Sequence, residues 1–162
     1  MLTPVQQEFR NAMAKLAAAV NIITTDGAAG KCGITATAVC SVTDSPPTLA
    51  VCINKNSEMN AVFQQNKQLC VNILTAEQDE LAKHFAGFMG SSMEERFTWD
   101  IWHNADEAHA LPALKNAIAN LKGKIVDIRN VGTHSLFLVE LDHINVQDGK
   151  GLVYFNRAFH SV

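Results

Sequence analysis

Several signatures that assign a function at sight are missing from this 162-residue chain. Gly27, Gly30 and Gly33 do not form G-x-G-x-x-G, and no helical pattern follows them, which argues against a dinucleotide fold of the Rossmann type. No P-loop, H-E-x-x-H or G-x-S-x-G occurs. The histidines (His84, His103, His109, His134, His143, His160) are spread without ligand spacing, so no metal is expected. A formal net charge of -3, with Lys and Arg scattered, leaves no footprint for nucleic acid or an anionic membrane. The longest apolar stretch, Leu16–Ile23, is broken by Asn21 and falls far short of the roughly 20 residues a membrane span needs. Glu8 and Arg10 stand where a signal peptide carries its apolar block. Cys32, Cys40, Cys52 and Cys70 contain no C-x-x-C pair and lie in apolar or β-like runs. They read as reduced, mostly buried thiols of a cytoplasmic protein.

What is present suits one domain, residues 1–162, with a sizeable core. Apolar residues make up 48% and charged residues 18%, and a chain this long buries roughly 70% of its unfolded surface. Val5, Phe9, Met13, Leu16 and Val20 recur every three or four positions and predict an amphipathic helix over Pro4–Ala18, with Pro4 in its first turn. Strands are predicted at Val20–Thr25, Lys31–Thr43, Thr48–Asn54 and Gln68–Leu74, then at Ala117–Arg129, Thr133–Val146 and Leu152–Phe159. Short helices are predicted after Ser57 and over Glu77–Phe85, while Gly87–His109 reads as irregular. Turns are placed at Asn130–Gly132 and at Asp148–Gly151, where QDGKG carries an Asp-Gly hairpin signal. Strands outnumber helices and do not alternate with them. The expected fold is therefore mainly β, an antiparallel barrel with flanking helices.

Two segments carry chemistry. Lys31–Pro47 sets Thr35, Ala36, Thr37, Ala38, Ser41 and Thr43 where a buried strand would carry bulky side chains. Small residues let a flat ligand lie against the backbone; equally, they fit the taper of a barrel interior. Ile53–Asn60 (INKNSEMN) leads from a strand into a helix N-terminus, where Asn54, Lys55 and Ser57 can serve a phosphate or Ser57 can simply cap the helix. His134 either begins a strand facing solvent or sits beside a ligand, and Arg157 is either an exposed cation or a contact. Glu94-Glu95 reads as a solvated turn, and Trp99 and Trp102 as core or interface anchors.

Over nearly its whole length the chain resembles the short-chain flavin:NADH reductase family, within it the reductase components of two-component 4-hydroxyphenylacetate 3-monooxygenases. The blocks that carry the resemblance are FRNAMAKLAAAVNIITT, CGITATAVCSVTDSPPTLAVCIN, NSEMN, LCVNIL, HFAG, MEERF, GTHSLFLVEL and GLVYFNRAFH. It implies a Greek-key split β-barrel of the FMN-binding type, a homodimer, and NADH-driven reduction of free FMN, FAD or riboflavin. The reduced flavin would then diffuse to a separate oxygenase component. By the same resemblance Thr35, Ala36, Thr37 and Ser41 belong to the flavin strand, and Cys52, Ile53, Asn54, Ser57 and Asn60 to the phosphate and ribityl segment. His84, Phe85 and Ala86 match the block near the flavin, and His134, Phe155 and Arg157 match positions on the nicotinamide side.

Hydride transfer between stacked rings asks the protein for positioning, so no general acid or base is expected. A flavin-binding electron carrier of the same fold without an NADH site is the alternative. A barrel-type binding module with a merely packed Thr-rich strand is the third.

Overall fold

The computed structural model describes residues 1–104 and 111–162; His109 lies outside the described residues. Among the described residues, ten strands and four α-helices follow one another along the chain. Helix α1 (Pro4–Met13) starts at Thr3, whose hydroxyl accepts from Gln6 N at 3.2 Å while Gln6 Oε1 accepts from Thr3 N at 2.8 Å. It is shorter than predicted. The Ala14 carbonyl accepts from Asn156 N at 2.6 Å, and the chain turns there to enter β1 (Ala18–Ala19). None of the α1 residues is buried: Val5, Phe9 and Met13 of its apolar stripe, with Leu16 beyond its end, are 44–77% exposed.

β2 (Asn21–Thr25), β3 (Cys32–Ala36), β4 (Val39–Asp44), β5 (Pro47–Asn54), β6 (Gln68–Ile73), β7 (Ala119–Val131) and β8 (His134–Val146) form one antiparallel sheet in the order β3-β2-β6-β7-β8-β5-β4. The strand predicted over Lys31–Thr43 is therefore two strands, and they lie at opposite edges of the sheet. Only Thr37 and Ala38 join them. Three Cα steps reach about 11 Å at most, so the sheet must roll until its edges meet. Val39 N donates to Thr37 O at 2.9 Å and Cys52 N to Ala38 O at 3.0 Å across this seam. The result is the split barrel expected from the sequence.

Alternation decides what faces inward. Leu49, Val51 and Ile53 of β5 and Ser135, Phe137 and Val139 of β8 are buried, while the residues between them are more exposed. Ile23, Leu69, Val71 and Phe63 of α2 (Met59–Asn66) complete this interior. β2 is buried on both faces. Its other side, with Val20, packs on Ala82 and Phe85 of α3 (Asp79–Phe85) and on Leu74, Leu114, Ala117 and Leu152.

Three further predictions need correction. Leu152–Phe159 is a hairpin of β9 (Leu152–Phe155) and β10 (Ala158–Ser161), turned by Asn156 and Arg157, both with left-handed backbone (φ 51° and 63°). Asp148–Gly151 forms no hairpin, because β9 pairs with β1 and β10 in a separate three-stranded sheet. Within the stretch read as irregular, Met93–Arg96 forms a short helix, α4. Glu94 and Glu95 lie exposed in its first turn, where carboxylates suit the helix dipole.

Candidate functional site

Part of the sequence-predicted set lies at the seam, with Thr37, Cys52 and Arg157 lining the cavities there. Among the described residues β3 is an edge strand, so one flank of its backbone has no strand partner there, and Thr35, Ala36, Thr37 and Ala38 leave it lightly covered. These features fit a flat ring with polar edges. The Thr35 hydroxyl is itself committed, donating to Ala82 O at 2.6 Å and latching α3 against the strand. Gly33 brings α3 closer still: a Cβ there would stand 2.9 Å from the Phe85 ring. His84, Phe85 and Ala86 are thereby held beside β3.

On the other side of the seam, β5 runs into a loop fixed by its own amides. Asn54 Oδ1 accepts from Asn56 N at 2.9 Å, Asn54 O accepts from Ser57 N at 3.1 Å, and Thr133 O accepts from Lys55 N at 2.9 Å. Ser57 stands one residue before the Glu58 N-cap of α2, its hydroxyl accepting from Met59 N at 3.3 Å. Asn60 is buried and donates to Ile53 O at 3.1 Å, so it pins the loop. The side chains of Ile53, Asn60 and Phe85 are enclosed, and such positions offer a ligand only backbone. His134 opposes Asn54 across β5 and β8, exposed, with Nδ1 2.8 Å from Thr133 Oγ1.

Two cavities open onto the seam and share Leu16, Ala18 and Thr37. One, of about 580 Å³, reaches Arg10, Tyr154 and Arg157; the other, of about 490 Å³, is lined by Ala38, Val39, Cys40, Ala50, Cys52 and Leu136. Both volumes lie in the range of small-molecule sites. Thr37 thus links Cys52 on one side to Arg157 on the other. Ser41 is not gathered with them: it lies exposed on β4 opposite Leu49. Phe155 sits on the small sheet with its ring against His160, and Arg157 donates to Asn11 Oδ1 at 3.0 Å. His134 lines neither cavity.

The thiols play unequal parts. Burial pushes those of Cys32 and Cys70 up to about 12, which removes them as nucleophiles. Burial and the neighbouring Cys40 also raise Cys52. Cys40 is exposed, contrary to the prediction of mostly buried cysteines. Sequence reasoning missed Arg10, Leu16 and Tyr154 as cavity walls. The continuation of the α1 stripe past Met13 was the available signal for Leu16.

A sequence profile described as "Flavin reductase like domain" matches residues 13–162. The 4-hydroxyphenylacetate 3-monooxygenase reductase component of Pseudomonas aeruginosa is 58% identical over 160 residues, 98% of this chain and 93% of that one. The FMN reductase (NADH) RutF of Serratia proteamaculans is 47% identical over 158 residues, 97% of this chain and 88% of that one. Among solved structures, the flavin reductase PheA2 superposes with a TM-score of 0.85 at 32% identity, over 96% of this chain and 97% of the other. With its seam, barrel order and nearly full-length similarity, the chain belongs to the flavin reductase family.

Proposed function

We propose that this protein uses NADH to reduce free flavin and releases it to a separate oxygenase that hydroxylates 4-hydroxyphenylacetate. The observation that carries this is the 58% identity, along almost the whole chain, to the reductase component of that monooxygenase. The bare seam between β3 and β4 supports it.

Nicotinamide supplies a hydride and the flavin ring accepts it, which requires the two rings about 3–3.5 Å apart. The chain's own part is placement. Backbone at Thr35–Ala38 meets the polar edge of the ring, with Cys52 and Ile53 closing the other side. Asn54 and Ser57 serve the ribityl and phosphate end, and Asn60 holds that loop in shape. His84 and Ala86 flank the ring from α3, while His134 and Arg157 serve the nicotinamide. With few charged groups at hand to clamp a pyrophosphate, FMN and FAD are both accepted. A flavin that must leave is held at micromolar strength, about -8 kcal/mol.

The exposed apolar stripe of Val5, Phe9, Met13 and Leu16 supports a homodimer in which a second copy covers α1. Four free cysteines and no disulfide among the described residues support a cytoplasmic location. Anaerobic stopped-flow mixing of NADH with protein and FMN, FAD or riboflavin tests the activity. Bleaching of the flavin spectrum is expected; flavin that binds but stays oxidised would leave only an electron carrier. Light scattering tests the dimer, and a Phe9→Glu variant running as a monomer is expected.

A further inference from the structure

Arg96 is 7% exposed, and among the described residues no carboxylate comes within ion-pair reach of its guanidinium. That is an expensive placement for a charge unless its donors are used. Two of them meet Ser91, where Nε donates to Ser91 Oγ at 2.7 Å and one terminal nitrogen to Ser91 O at 2.5 Å, while the other terminal nitrogen stands 4.0 Å from Met93 Sδ. The cation also stacks 5.4 Å from the centre of the Phe85 ring, and Trp102 Nε1 donates to Arg96 O at 3.0 Å. The guanidinium is held between Ser91 and the Phe85 ring.

Ser91 Oγ is also 2.9 Å from His84 Nδ1. A guanidinium can only donate, so Ser91 Oγ is the acceptor from Arg96. A hydroxyl that accepts from a cation is polarised to give its own proton onward, and His84 Nδ1 stands within reach. With the hydroxyl proton directed at Nδ1, that nitrogen accepts and the imidazole proton resides on Nε2. Trp99 packs edge-on against the ring, centroids 4.9 Å apart, and restricts its rotation. His84 is half-buried, and Nε2 has no partner among the described residues.

We infer that Arg96 and Ser91 are positioning residues that fix His84 in the Nε2–H form, so that it presents one hydrogen-bond donor to a ring carbonyl of bound flavin. This rests on the flavin reductase reading above. The spacing HFAG…SS-x-x-x-R is the sequence trace of the device, with the serine supplied from the loop before α4.

Long-range proton–nitrogen NMR of histidine-labelled protein reads the tautomer directly. The expected spectrum shows His84 protonated at Nε2 in the free protein, with the Ser91→Ala variant a mixture of both forms. Ser91→Ala should lose about tenfold in kcat/KM for flavin, the size of one hydrogen bond of about 1.4 kcal/mol, mostly through KM. Ser91→Thr keeps the hydroxyl and should stay within about twofold of the parent protein. A parent His84 protonated at Nδ1 would overturn the inference. So would a parent that reduces flavin with Ser91→Ala unchanged, or a loss confined to the KM for NADH. A parent that leaves flavin oxidised in the presence of NADH refutes the functional reading instead, and the inference falls with it.

Discussion

Gly33→Ala tests the packing that carries α3 to the seam. The new methyl would lie 2.9 Å from Phe85 Cε1, 3.0 Å from Cδ1 and 3.3 Å from Thr24 Cγ2. Phe85 has little room to yield: Phe97 and Trp102 meet it edge-on with centroids 6.0 and 5.9 Å away, and Arg96 covers its face. Overpacking of this kind costs about 1–3 kcal/mol. Replacing glycine in a strand returns about 0.5–1 kcal/mol of backbone entropy. The net loss is up to about 2.5 kcal/mol, and at about 2–4 °C per kcal/mol for a chain of this size Tm should fall by up to about 10 °C. Calorimetry reads this. A double-mutant cycle with Phe85→Leu isolates the cause, because a smaller, flexible side chain relieves the methyl and the pair should couple favourably by at least about 0.5 kcal/mol. Because Phe85 lies between His84 and Ala86, flavin affinity should weaken well below Tm. Strictly additive single losses would show that α3 is not held by this contact.

Two other outcomes are expected, the first from the proposed function and the second from burial. His134→Ala should raise the KM for NADH several-fold while the flavin Kd measured by fluorescence titration barely moves; equal losses in both would detach His134 from the nicotinamide. Alkylation followed by mass spectrometry should leave Cys32 and Cys70 unlabelled at pH 8 until denaturant is added, since burial holds both thiols protonated. Native labelling of Cys70, which has no exposed surface, would contradict the enclosed core.

The sequence was readable where one periodicity persisted. β5, β6 and β8 alternate or run apolar between turn residues, and the Thr3-Pro4 start of α1 announces itself. The break at Thr37–Ala38 was hidden because both halves share one β-forming composition, and a strand that changes partners in mid-run leaves no local mark. Asn156-Arg157 turned a hairpin with none of the usual glycine, while QDGKG offered a hairpin signal that the pairing of β9 with β1 overrode. At the site, the small residues of the seam were legible because they are anomalous. Arg96 was not, since MEERF has the look of a solvated surface and nothing local shows that its guanidinium turns inward over Phe85. Ser41 shares the small-residue composition of the seam but lies exposed on β4 opposite Leu49, outside both cavities.

The open flank of β3 has a consequence for what can settle on it. Unpaired backbone on a rim normally invites another extended polypeptide to complete the ladder, the first step toward aggregates. Here the rim is five residues long, is hemmed in by α3 through Thr35, and swings away at Thr37 into the opposite edge of the same sheet. A foreign strand gains too few rungs to stay, whereas a small planar guest needs only one or two. The short, hemmed rim thus favours small planar molecules over misfolded neighbours.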